Sequence, residues 1–119
     1  MDAQADTFRA FHARRERARL EERENLRLDI LDRAKAAILR QAPAFPAIRA
    51  AYLFGSILQP GQFHEGSDVD IAIDCDDIGV ETPFWRALED ELQRNVDVRP
   101  REGAVARAVE AYGEKVYGR

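Results

Sequence analysis

The spacing of apolar positions changes several times along the chain, and each change marks a predicted element. From about Asp6 to Gln41 there is neither glycine nor proline, and strong helix formers dominate. This predicts one long helix over about 5–41. Its middle, HARRERARLEEREN, is dominated by arginine and glutamate, with Arg17 and Glu21 at i,i+4 and Arg19 and Glu22 at i,i+3. Periodicity emerges only later, where Leu28, Leu31, Ile38 and Leu39 are expected to form the stripe that docks on a sheet. Phe8 and Phe11 make a separate apolar spot near the start. Asp2 or Asp6 is the expected N-cap, and Pro43 and Pro46 end the helix. Such a charge-dense first half favours a solvated helix that packs through its last turns. Contact with a partner or a second copy is the alternative.

The pattern then switches to strands. Ile48 to Phe54 is an apolar run suited to a buried strand, and it breaks at Gly55-Ser56. Eleven residues of loop follow, up to Ser67, and the segment SDVDIAID then alternates strictly. Val69, Ile71 and Ile73 point one way, and Asp68, Asp70, Ala72 and Asp74 the other. Thr82-Pro83 predicts a helix start with Thr82 as cap. Phe84, Trp85, Leu88 and Leu92 supply the inward stripe of that helix, which ends near Arg94. NVDVRP reads as a short strand cut off by Pro100, and 102–112 as a final helix followed by a tail or edge strand. The expected fold class is α+β: a small mixed sheet flanked by helices, with a long N-terminal helix. We read 1–119 as one domain with its core over 47–117.

Composition narrows the function. A net charge of −4 argues against a surface that grips a nucleic acid backbone, so no direct nucleic-acid binding is expected. No apolar run is long enough to span a membrane, which makes a cytoplasmic location the default expectation. A single cysteine, Cys75, excludes an intramolecular disulfide and a cysteine-cluster metal site. His12 reads as a solvent-facing helix residue, His64 as an ordinary loop histidine with substrate contact the lesser alternative, and Trp85 as core.

Asp68 and Asp70 leave one face of a strand with Cα atoms roughly 6–7 Å apart. Two ionised carboxylates that close repel, and a divalent cation removes the difficulty. Oxygen ligands on a rigid strand suit Mg²⁺ or Mn²⁺, which take remaining ligands from water and substrate phosphates. Asp97, between Val96 and Val98, is a third carboxylate in an apolar strand. If its strand lies beside that of Asp70, three carboxylates converge, enough for a pair of metals. Gly55 lets the backbone approach an anion, and a helical turn after it would aim N–H groups at phosphate, with the Ser56 hydroxyl as a further donor. Arg99 and Arg101 follow the third carboxylate and are candidates to reach phosphate.

The ordered series Gly55-Ser56, Asp68-x-Asp70 and apolar-Asp97-apolar resembles the nucleotidyltransferase superfamily with a polymerase-β-type palm. The short form is similar to the minimal nucleotidyltransferases of the MNT antitoxin type. The likeness runs over about Ala47 to Val98, and the long helix lies outside it. It implies two divalent metals held by Asp68, Asp70 and Asp97, with Asp97 also helping to deprotonate the attacking hydroxyl. Gly55, Ser56 and Ser67 would bind the nucleotide, ATP or another NTP. Members often carry a basic residue soon after the Gly-Ser, where this chain has Ile57-Leu58-Gln59.

The function implied is transfer of NMP, with AMP from ATP favoured, to a hydroxyl of a partner protein. By the same resemblance the partner is a HEPN-type helical toxin and this chain its antitoxin, in a homodimer or hetero-oligomer. Two alternatives stand beside it. One is a non-catalytic protein that neutralises its partner by contact; the other transfers to a small aminoglycoside-like molecule.

Overall fold

Only the second half of the long helix builds the core. The computed structural model of the chain describes residues 3–118. Helix α1 runs Ala3–Gln41, about 58 Å of rise, in a molecule whose longest extent is 67 Å. Its first buried residue is Arg27, followed by Ile30, Ala34, Ala37 and Ile38. Of the described residues before Glu24, all but Ala5 are exposed.

Strands β1 (Ile48–Phe54), β2 (Val69–Cys75), β3 (Val96–Pro100) and β4 (Glu114–Gly118) form one mixed sheet in the order β3-β2-β1-β4. β1 pairs antiparallel with both β2 and β4, while β2 and β3 run parallel. The parallel pair needs a crossover, supplied by α2 (Glu81–Leu92). Helices α1 and α2 cover one face, where Ile38, Leu53, Ile71, Phe84, Leu88 and Val98 are fully buried. Helix α3 (Gly103–Tyr112) packs on β1 and β2 with Val109 inward. The small residues Ala50 and Ala72 are buried on that second face. Polar contacts fasten α1 to the end of α2. Arg33 donates to the Leu92 carbonyl at 3.1 Å, and Arg40 grips Glu91 through Nε (2.9 Å) and Nη2 (2.7 Å).

The fold class matches the sequence expectation, with several local corrections. Leu28 and Leu39 are 47% and 53% exposed, and alanines do much of the docking in their place. A helix can approach its neighbours most closely over residues with short side chains, so large aliphatics misstate the inward face. Asp6 lies inside the first turn of α1 and does not cap it, while Asp2 lies outside the described residues. Thr82 is also no cap, because α2 begins one residue earlier. Asp77 instead caps the 3-10 turn Ile78–Val80 that feeds α2, its carboxylate accepting from the Gly79 N–H at 2.9 Å. The tail is a true edge strand. Among the described residues no helix is long and apolar enough to cross a membrane.

Candidate active site

Sheet register carries the expected carboxylates to one place. In the parallel ladder Asp70 stands opposite Asp97, and in the antiparallel ladder it stands opposite Phe54. The residue after Phe54 is Gly55, so the end of β1, the start of β2 and the start of β3 meet. Asp68 lies just before β2 begins, exposed at its entrance. Val69, Ile71, Val96 and Val98 are buried on the opposite side of the same strands, which fixes the aspartates outward.

Gly55 opens a 3-10 turn over Gly55–Leu58, closed by the Gln59 N–H on the Ser56 carbonyl at 3.0 Å. Its φ of +79° is left-handed, and a Cβ there would overlap the Asp70 carboxylate. Glycine is thus required twice, by backbone conformation and by contact with the carboxylate. This is the helical turn anticipated after the Gly-Ser.

Burial, and then the negative charges of Asp97 and Asp68, push the Asp70 carboxyl up to about 6, with Arg99 opposing. Asp97 is engaged by Arg99, Nε to Oδ2 at 2.9 Å. Among the described residues no three His, Cys, Asp or Glu side chains are arranged as a ready metal cage. The donor set nonetheless has the chemistry of a hard-cation site: oxygen ligands gathered around an Asp70 carboxyl whose ionisation burial and two acidic neighbours oppose, beside a turn too tight for any side chain on Gly55.

Other candidates fall elsewhere. Arg101 is turned away to the far end of β2, where Nε and Nη2 hold Asp74 at 2.8 and 2.9 Å. Arg99 reaches a carboxylate. The Ser67 hydroxyl accepts from the His64 N–H at 3.0 Å and closes the loop before Asp68, while His64 Nδ1 accepts from the Gly66 N–H at 3.0 Å. His64 is exposed and borders a cleft of about 490 Å³ with Arg19, Arg23 and Leu26 of α1. Trp85 packs against the core, as expected. Two arginines that the motif reading passed over touch the loop between the motifs. Arg27 reaches the Ile57 carbonyl, and Arg94 reaches three carbonyls before Asp68.

Comparison with known proteins bears on the family and the fold. The sequence profile of the family described as Polymerase beta, Nucleotidyltransferase matches residues 36–118. No curated protein matches the chain. Among solved structures, a toxin-antitoxin complex with AMP-PNP is similar at 26% identity and a TM-score of 0.61, covering 71% of this chain and 73% of that one. A mutant MntA toxin-antitoxin complex, with two aspartates replaced by glutamates, shares the fold at 24% identity and TM-score 0.60, with 71% and 73% covered. A tri-AMPylated HEPN toxin from Shewanella oneidensis in complex with MNT antitoxin shares the fold at 22% identity and TM-score 0.55, covering 75% and 73%.

Proposed function

The chain belongs to the polymerase-β nucleotidyltransferase family, and on that premise we propose that it transfers a nucleoside monophosphate from an NTP to a hydroxyl of a partner protein. The observation that carries the reading is the meeting of Gly55 with the Asp70–Asp97 pair at one end of the sheet. Asp68, Asp70 and Asp97 would hold two divalent ions, Mg²⁺ or Mn²⁺, which neutralise phosphate charge and favour the ionised acceptor oxygen. Gly55 and Ser56 offer the turn's N–H groups and a hydroxyl to the triphosphate. Ser67 keeps its hydroxyl proton to donate, since it is an acceptor within the loop.

The acceptor oxygen attacks the α-phosphorus and forms the new P–O bond. The bond from that phosphorus to the bridging oxygen of the β-phosphate breaks, and pyrophosphate leaves. Asp97 takes the acceptor's proton on the carboxylate oxygen that Arg99 leaves open, and passes it to solvent. ATP is the favoured donor, because the similar structures include one with AMP-PNP and one with an AMPylated toxin. They also favour a HEPN toxin as the acceptor and an antitoxin role for this chain. We take 1–119 as a single catalytic unit.

Labelled ATP, Mg²⁺ and the product of the neighbouring gene should yield labelled partner. Absence of label with all four NTPs, identical in an Asp97→Ala control, would remove the enzymatic reading. A second reading, neutralisation by contact alone, is favoured by the Arg99 already seated on Asp97 and by the projecting half of α1. It requires Asp70→Asn to neutralise the partner as well as the native chain does.

A further inference from the structure

We propose that Arg27 and Arg94 are positioning residues that hold the Ile57–Ser67 loop from its two ends, one setting the phosphate turn and the other setting Asp68. The inference rests on the nucleotidyl-transfer reading for what the loop positions, though not for the clamping itself.

Arg27 is the one buried charged residue among the described residues, at 8% exposure. A buried guanidinium is costly unless its donors are matched. Its Nε is paired with Glu24 one turn earlier on α1, and Nη1 donates to the Ile57 carbonyl at 3.0 Å. The peptide unit is planar and its C=O and N–H point oppositely. Holding the Ile57 carbonyl toward α1 therefore aims the Leu58 N–H away from α1, within the turn that contains Gly55 and Ser56. The motif lacks a basic side chain at Ile57-Leu58-Gln59, and Arg27 brings a positive charge to that turn's backbone from another element.

Arg94 does the corresponding work at the other end. It leaves the α2–β3 junction and lies over the buried Phe63 ring, 4.8 Å from its centre. Its Nη2 donates to the carbonyls of His64 (2.9 Å), Glu65 (2.8 Å) and Ser67 (3.1 Å). The last of these fixes the Ser67–Asp68 peptide plane and hence where the Asp68 side chain starts. The loop's own backbone bonds are all local: Gln59 to Ser56, Gln62 to Gln59 and Ser67 to His64. Nothing in them ties the loop to the rest of the fold.

The test uses Arg27→Met, Arg27→Lys, Arg94→Met and Arg94→Lys in the full chain, with amide hydrogen exchange and transfer kinetics side by side. Exchange at Gln59 should quicken in Arg27→Met, and at Ser67 in Arg94→Met, while amides of β1 and β2 stay protected. Roughly tenfold effects are expected in kinetics, as for small misplacements of catalytic groups. Arg27→Met should raise KM for the NTP with little change in kcat. Arg94→Met should lower kcat and raise the Mg²⁺ concentration for half-maximal rate. The lysine variants should recover part of each effect, since an ammonium still reaches a carbonyl. Loop exchange and kinetic constants equal to the native chain would overturn the proposal, as would loop exchange rising only in step with that of the whole sheet. The exchange arm decides the clamps even in a chain that transfers nothing, so failure of the functional reading is told apart from failure of this one.

Discussion

Asp70 faces Asp97 across the parallel strands β2 and β3, and burial, with the negative charges of Asp97 and Asp68, holds the Asp70 carboxyl above the ordinary carboxylate range. Arg99 supplies positive charge here, bonded to Asp97 and opposing the rise at Asp70. This relationship leads to an activity prediction. Asp70→Asn and Asp97→Asn should each lower nucleotide transfer on the order of a thousandfold, the scale of losing a key electrostatic group. Transfer of labelled nucleotide at saturating NTP measures it, and residual activity within tenfold of native would remove that residue from the machinery.

Gly55 should tolerate no side chain. Alanine there meets both the left-handed φ of +79° and the Asp70 carboxylate. Gly55→Ala is expected to lose about 1–3 kcal/mol of stability and most of its transfer activity. Urea denaturation with an unchanged midpoint would show that the turn adapts.

The metal-free protein should have two pH windows of opposite sign. The Asp70 carboxyl is raised to about 6 by burial and by its acidic neighbours. A group whose folded pKa is raised stabilises the fold below its unfolded pKa, and that contribution is lost as pH rises through the folded value. Apparent stability should therefore decline between about pH 4 and 6, a decline absent in Asp70→Asn. Asp74 and Glu91 behave oppositely. Burial pushes Asp74 up, but hydrogen bonds and charge from Arg101, with the Tyr52 hydroxyl, outweigh it and hold it low. Glu91 is held low by the hydrogen bond from Arg40, then by Gln41. Their stabilisation is present above the ordinary carboxylate range and lost as pH falls below about 4. Denaturation midpoints taken from pH 3 to 8, with and without Mg²⁺, check both windows.

Much of the site was legible because strand alternation is unforgiving. Val69 and Ile71 must face the core, so Asp68 and Asp70 cannot, and Asp97 between two valines obeys the same rule. That β3 lies beside β2 followed from the resemblance and not from any local pattern. The clamps were illegible for a physical reason. Arg27 and Arg94 bind backbone carbonyls roughly 30 positions away, and a carbonyl leaves no mark in the sequence. The N-cap of α2 was misplaced because Thr82-Pro83 is a sound start signal that an upstream turn, capped by Asp77, pre-empted.

Removal of residues 3–20 should leave the core as stable as before. No residue in that stretch is buried, and isolated helix of this length gains little in water. Helical circular dichroism should fall in proportion to the residues lost, while the thermal midpoint moves by less than about 3 °C, equivalent to about 0.5–1 kcal/mol. A larger drop would mean that the projecting half packs on something within the chain. If the same truncation abolishes partner binding but not NTP binding, the projecting half is the contact surface.

The inward face of α1 makes the sharpest contrast between expectation and structure. Leu28 and Leu39 belong to the stripe that spacing suggests, yet both are about half exposed, whereas Ala34 and Ala37 are fully buried. Leu28→Ala and Leu39→Ala should each change stability by no more than about 0.5 kcal/mol, as surface substitutions do. Ala34→Leu should cost about 1–3 kcal/mol, because added methylenes have no room between α1 and the core. Ile38→Ala should cost about 2–5 kcal/mol through the cavity it leaves. Chemical denaturation of the four variants gives the ordering directly. Leucine variants that destabilise more than Ala34→Leu would mean that α1 sits rotated from the face described.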